Sequence, residues 1–107
     1  MDIVNCTPHS INVSGVEFPP SGIIPRVTET ATVIGNVAVG DVDIDITEIV
    51  LGNVENLPDP KLGVYYVVSR ITAEAVRDRR DLLIPGKQIR DENGRIIGCE
   101  TLSRLPL

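Results

Sequence analysis

The feature that most constrains the fold is an alternation of apolar and polar residues, in short runs that end at glycine or proline. In INVSGVEF, a two-residue turn at Ser14-Gly15 would pair Ile11 with Phe18 across a hairpin. The run VDIDI, residues 42–46, places three aliphatic residues on one face of a strand and two aspartates on the other. This pattern predicts a chain rich in strands, with VDIDI burying one face.

Residues 64–69, VYYVVS, form an unbroken apolar run of the kind found in central strands. Ser69 is suited to cap a helix in the following RITAEAVRDRR, with Ile71 and Ala75 on its inner side. The sequence indicates no other helix. The predicted fold class is therefore α+β, mostly antiparallel β with several short strands and hairpins, and with one short helix near residues 70–80.

A closing hairpin is predicted around DENGR. A three-residue loop at residues 92–94 is favoured over a two-residue turn because it puts Gly94 where a left-handed conformation is needed. This register pairs Asp91 with Arg95, Ile89 with Ile97 and Lys87 with Cys99.

With 107 residues, the chain is expected to form a single domain, residues 1–107. Only three aromatic residues are present, so the predicted core is small, and we expect a homo-oligomer in which a neighbouring subunit completes it. The start MDIVNCTPHS is unlike a signal peptide, and no apolar run approaches the roughly 20 residues of a membrane span. We therefore expect a cytoplasmic protein that has no membrane partner.

The charges are distributed unevenly along the chain. Residues 1–60 contain nine acids and one base, whereas residues 61–107 contain nine bases and six acids. The pI near 4.7 argues against general nucleic-acid binding, which depends on neutralising phosphates. A small anion should instead bind to the second half of the chain, where bases outnumber acids. Six of the ten bases lie between residues 75 and 95, namely Arg77, Arg79, Arg80, Lys87, Arg90 and Arg95.

This basic segment has two interpretations. Its arginines could pair locally with interleaved acids on a solvated face, at little net energy. Alternatively, the bases that outnumber the nearby acids could converge to hold phosphate or carboxylate groups: Arg79, Arg80, Lys87 and Arg90. Asp81 could then accept a hydrogen bond from a ribose hydroxyl or orient an arginine. Arg26 and Arg70, each beside a predicted strand end, are additional candidates.

The segment NCTPHS contains the only histidine. Asn5, Thr7 and His9 could satisfy free backbone groups where a strand gives way to a turn, or they could contact a polar ligand. Cys6 and His9 are too few for a zinc site, which needs three or four ligands, so neither a metal site nor a catalytic residue is assigned.

Tyr65 and Tyr66 must point to opposite faces of their strand, so one is expected to pack inside and the other to be free to stack on a base or fill an interface. The sequence contains no phosphate-binding loop, dinucleotide fingerprint or nucleophile elbow. No cofactor is expected.

Five segments carry a family resemblance: NCTPHSINV, FPPSGIIPRV, GNVENLPDP, GVYYVVSRITAEAV and DRRDLLIPGKQIRDENGRIIGCETL. Nearly the whole chain resembles a small family of phage and bacterial-genome proteins with no established activity. These share an Asn-x-Thr-Pro-His start, Pro-Pro-Ser-Gly before an arginine, and a closing hairpin with Arg-Asp, Gly-Arg and Gly-Cys. In setting and size, such proteins are similar to phage anti-defence sponges, which sequester nucleotide immune signals such as cyclic ADP-ribose variants.

The resemblance and the charge distribution together favour a homo-oligomer that binds and sequesters a small phosphorylated nucleotide without catalysis, in the host cytoplasm if the protein is phage-encoded. Two alternatives stay open: a protein-interaction module that inhibits a host protein, and a nucleotide hydrolase that uses His9. The candidate ligand-binding residues are Arg79, Arg90, Asp81, Arg26, Arg70, Asn5, Thr7, His9 and Tyr65.

Overall fold

A computed structural model describes all 107 residues. Strands make up 51% of the chain and one helix 6%, which confirms the expectation of a strand-rich fold with a single short helix. The elements are β1 (Asp2–Asn5), β2 (Ile11–Val13), β3 (Val16–Phe18), β4 (Arg26–Val39), β5 (Val42–Glu55), β6 (Val64–Val67), α1 (Arg70–Ala75), β7 (Leu82–Pro85), β8 (Gln88–Arg90), β9 (Ile96–Cys99) and β10 (Leu102–Ser103).

The first sheet has the strand order β1-β6-β7-β10, with β6 in the interior as its apolar run predicts. Strands β1, β6 and β7 are parallel, and β10 joins β7 in the antiparallel direction. Strands β2 and β9 of the second sheet are also parallel. The expected antiparallel majority is therefore only part of the fold, because helix α1 and the long excursion after β3 allow parallel neighbours that hairpins alone cannot provide.

The second sheet has the order β3-β2-β9-β8. Its first hairpin has the predicted register, with Ile11 opposite Phe18 and Val13 opposite Val16. Ser14 and Gly15 both have positive φ values, 50° and 85°, as a tight turn between twisted strands requires.

The closing hairpin departs from the predicted register beyond its tip. Asp91 N–H donates to the Arg95 carbonyl at 2.9 Å and Gly94 has φ +78°, so the three-residue loop is confirmed. A bulge in β9 then shifts the pairing, because Ile97 is skipped between the pairs Arg90–Ile96 and Ile89–Gly98. Ile89 faces Gly98 instead of Ile97, and Gln88, not Lys87, faces Cys99. Gly98 lies beside β2, the parallel neighbour of β9, and a Cβ atom on it would lie 2.9 Å from the Asn12 carbonyl oxygen.

Strands β4 and β5 pair only with each other, and we call this hairpin, residues 26–55, the arm. Each strand has 14 residues, so the arm is roughly 45 Å long. The radius of gyration is 17.4 Å, against about 13 Å for a compact chain of this length. The expectation that VDIDI buries one face is wrong within one copy of the chain, because nothing covers either side of it.

The core lies in the remainder of the molecule, which we call the body, between the first sheet and helix α1. Its buried residues are Cys6, Tyr66, Val68, Ala73, Leu82 and Ile84. Both cysteines are buried free thiols. Burial raises the pKa of the Cys6 thiol, an effect partly offset by a hydrogen bond with Ser21.

Helix α1 is shorter than predicted. The Ser69 hydroxyl caps it by accepting from Thr72 N–H, as expected, but the helix ends at Ala75 instead of continuing towards residue 80. A turn closed by Arg79 N–H and the Val76 carbonyl returns the chain to β7. Thr72 and Ala73 are the fully buried helix residues, in place of the predicted inner pair Ile71 and Ala75. No helix is long and apolar enough to cross a membrane.

Candidate anion-binding cleft

Several chain segments lie together at one end of the strands of the first sheet, where β6 and β7 begin and β10 ends. Since β6 and β7 are parallel and β10 is antiparallel to β7, the loops that enter β6 and β7 lie beside the chain that leaves β10. An open cleft of about 400 Å³ forms there. The side chains that matter for binding, which define what we call the cleft, are Lys61, Tyr65, Arg80, Asp81 and Arg104.

Arg79 and Asp81 form a forked ion pair beside this cleft. Arg79 Nε and Nη2 each donate to a carboxylate oxygen of Asp81 at 2.8 Å, and Nη2 also donates to the Pro58 carbonyl at 2.9 Å. This hydrogen bonding raises the pKa of Arg79 and lowers the pKa of Asp81. Arg79 therefore has a structural role, and its positive charge offsets the negative charge of the Asp81 carboxylate.

Unlike Arg79, the three cations of the cleft have no carboxylate partner. Lys61, Arg80 and Arg104 are absent from every ion pair of the molecule. Two further acids are close along the chain or at the same edge, Asp78 and Asp2, and neither forms an ion pair. The cleft therefore has an excess of positive charge.

Arg80 is held so that part of its guanidinium stays available. Its Nη1 donates to the carbonyls of Arg77 at 3.1 Å and Leu105 at 3.0 Å. The Nε and Nη2 groups make no bond to the protein, so donors of the planar fork can still bind an anion. Arg104, which is exposed, donates one bond of 3.3 Å to the Arg80 carbonyl.

The two tyrosines separate as their alternation predicts. Tyr66 points into the core and donates its hydroxyl to the Asp59 carbonyl at 3.2 Å. Tyr65 is partly exposed on the wall of the cleft. An aromatic ring therefore lies among unpaired cations.

Three other candidate arginines lie outside the cleft. Arg90, in the second sheet, donates to the Gly94 carbonyl at 2.7 Å and to Gln88 Oε1 at 3.2 Å. Arg70 pairs with Glu74 at 3.1 Å on helix α1, and Arg26 begins the arm opposite Glu55. None of the three shares a cavity with Arg79 or Asp81 in one copy of the chain.

Asn5 and Thr7 form a closed hydrogen-bonding group at the end of β1. Asn5 Nδ2 donates to the carbonyls of His9 and Phe18, each at 2.8 Å. Asn5 Oδ1 accepts from Thr7 N–H at 3.0 Å and from Thr7 Oγ1 at 2.6 Å. His9 contributes only its carbonyl, and its residue is exposed. These bonds correspond to the backbone-satisfying interpretation of NCTPHS.

Three other cavities of ligand size offer less to an anion. One of about 370 Å³ beside β1 and β6 has Asp2 against Lys61. A cavity of about 280 Å³ beside β2 and β9 has no charged residue on its wall. One of about 470 Å³ between α1 and the arm has Glu29 and Glu74 against Arg70. No group of three or more His, Cys, Asp or Glu residues is placed to hold a metal ion.

No family model, curated protein or solved structure matches this chain.

Of the residues that the sequence pointed to, Tyr65, Arg80 and Asp81 line the cleft, and Arg79 adjoins it through its ion pair. Sequence reasoning missed Lys61 and Arg104, which lie outside the basic segment. Their positions, immediately before β6 and after β10, become informative only when the parallel pairing of β6 with β7 is known.

Proposed function

We propose that the protein binds and sequesters a small phosphorylated nucleotide in the cleft, without catalysis. The observation that carries this proposal is the grouping of Lys61, Arg80 and Arg104, all without carboxylate partners, around the partly exposed ring of Tyr65. The cleft volume of about 400 Å³ lies within the range of roughly 300–1,000 Å³ that is usual for small-ligand sites.

Each residue of the cleft has a distinct part in this proposal. Arg80 presents free guanidinium donors to one phosphate, and Arg104 and Lys61 add charge for a second. Tyr65 stacks on the base or ribose, which favours a nucleotide over a simple anion. A signalling nucleotide with two phosphates, such as a cyclic ADP-ribose variant, has these components.

Binding without turnover is supported by the state of the one acid in the cleft. A general base must be able to take up a proton near neutral pH. The hydrogen bonds from Arg79 lower the pKa of Asp81, so its carboxylate is a poor proton acceptor. His9, the base of the hydrolase alternative, is not on the wall of the cleft.

Isothermal titration with cyclic ADP-ribose, ADP-ribose, cyclic dinucleotides, ADP and inorganic pyrophosphate tests the proposal. We expect stoichiometric binding of at least one nucleotide, weakened at least about 10-fold by Arg104→Gln. Arg95→Gln is the matched control, because it removes the same charge from another exposed arginine outside the cleft and should leave binding unchanged. Silent titrations across the whole panel would remove the proposal.

The exposed arm favours a second candidate, a protein-interaction module that inhibits a host protein. Mass spectrometry of protein purified from infected or signal-producing cells separates the two candidates. An intact nucleotide supports sequestration, whereas a co-purifying host protein without a nucleotide supports inhibition. Turnover of the ligand that His9→Ala abolishes would instead establish the hydrolase.

A further inference from the structure

The outer half of the arm has one aliphatic face and one polar face. The pairing sets Val37 opposite Ile44 and Val39 opposite Val42, so these side chains lie on the same side of the ribbon. The opposite side carries the pairs Ala38–Asp43 and Asn36–Asp45. We call the first side the aliphatic face: Val37, Val39, Val42, Ile44 and Ile46, each 43–59% exposed.

Nothing in the chain packs on the aliphatic face. Helix α1 contacts the arm near its base, where Ile71 shares a cavity with Ile49 and Leu51. Beyond that point, the ribbon is held only by its own two strands. An isolated two-stranded hairpin is marginally stable in water, and an added layer that covers a hydrophobic face is what makes such strands stable. A layer that covers the aliphatic face would therefore stabilise the outer arm.

We propose that this partner is a second copy of the chain, whose own aliphatic face packs against the first around a two-fold axis. A two-fold interface brings the same surface from both copies together, so that surface must not repel itself. The aliphatic face carries no charged side chain, whereas the rest of the outer arm carries Asp41, Asp43 and Asp45 and no base. Packing the aliphatic faces together turns all of these acids towards water.

The amount of surface is sufficient for self-association. Covering the aliphatic face on both copies would remove on the order of 1,000 Å² from water, which is near the lower limit for a specific interface. Ile34, at the bulge where Gly35 faces Ile46, is 60% exposed at the inner end of this face and would extend the contact. A second copy of the chain is also the one partner that is present wherever the protein is synthesised.

The test compares Val37→Lys with Ala38→Lys, two adjacent exposed positions of β4 that add the same charge to opposite faces of the arm. Sedimentation equilibrium of the full chain measures the mass. We expect wild type and Ala38→Lys to form a dimer of the 11.6 kDa chain. Val37→Lys should be monomeric, with a dimer dissociation constant raised on the order of 100-fold or more, because each copy buries an unpaired ammonium group.

Hydrogen exchange of the amides in residues 35–46 gives a second measurement. These amides should exchange slowly in the wild-type dimer and fast in Val37→Lys, while amides of β6 stay protected in both and show that the body has folded. A monomeric wild type at about 100 μM, where even micromolar association would be visible, would overturn the proposal. So would a dimer that both lysine variants leave intact. The dimer is independent of the cleft, so a silent nucleotide titration would not affect it.

Discussion

Strands β5 and β6 are built from similar aliphatic residues but have opposite surroundings. Strand β6 lies between two parallel neighbours in the body, and Tyr66 and Val67 are buried there. Strand β5 has one neighbour, and in its segment VDIDI even Ile44 is 50% exposed. An unbroken apolar run requires cover on both faces, whereas alternation requires cover on one and leaves the covering element undefined. For the body that element lies in the same chain, and for the arm we propose that it lies in a second copy.

The largest expected effect comes from matched truncations in the two regions. Leu82→Ala, at a site 2% exposed, should lower the free energy of unfolding by about 2–5 kcal/mol. Ile44→Ala, in the monomeric Val37→Lys background, should change it by less than about 0.5 kcal/mol. Urea unfolding followed by tyrosine fluorescence measures both. Equal losses would mean that the outer arm is packed within a single chain, which would break the comparison.

A smaller effect is expected from Asn5, whose amide is fully hydrogen-bonded and 2% exposed. Asn5→Ala should cost about 2–3 kcal/mol, since it removes several hydrogen bonds at a partly buried site, to the Phe18 and His9 carbonyls and to Thr7. His9→Ala, four residues away on the surface, should change stability by less than about 0.5 kcal/mol. The same unfolding measurement applies, and an Asn5→Ala protein as stable as wild type would contradict a structural role for this group.

The Arg79–Asp81 pair should contribute about 1–3 kcal/mol, because its hydrogen bonds join charged, partly buried groups. The pKa of Asp81 is lowered in the folded state, so this stabilisation is complete above the ordinary carboxylate pKa and is lost as pH falls through the lowered value. Asp81→Asn should therefore flatten the stability profile below about pH 4. Glu74→Gln, in an exposed pair, should cost less than about 0.5 kcal/mol.

The smallest expected effect concerns helix α1, which contacts the base of the arm. Ser69→Ala removes a cap whose bond from Thr72 N–H is long, at 3.4 Å, so a loss of about 0.5–1 kcal/mol is expected. Thermal melting of this variant against Ser10→Ala, an exposed serine whose side chain makes no hydrogen bond, measures the difference. Identical melting temperatures would show that the cap contributes nothing.

Much of the local structure could be predicted from the sequence. The Ser14-Gly15 hairpin, the interior position of β6 and the Ser69 cap each depend on residues close together in the chain. The parallel sheet could not be predicted, because it pairs Asp2 with Val64 and no local pattern encodes so distant a partner. The bulge at Ile97 could not be predicted either, because it lies in a strand whose neighbour β2 is more than 80 residues away in the chain.

The candidate site was predictable in kind but not in its membership. The excess of bases in the second half of the chain indicates where an anion would bind. Which bases are free depends on tertiary contacts: Arg79 is occupied by Asp81, while Arg80 and Arg104 meet only because β10 returns beside β7. Lys61 joins them across a parallel pairing that the sequence does not reveal.

The two ends of the arm, Arg26 and Glu55, lie directly opposite each other. The arm therefore leaves and re-enters the body at one place, so its outer part could be lengthened or shortened without moving the body. Loss or gain of two residues from each strand alters its reach by about 7 Å and keeps every side chain on its original side. A change of one residue per strand would carry the outer aliphatic residues to the opposite side. In the dimer that we propose, the spacing between the two bodies could therefore change only in two-residue steps.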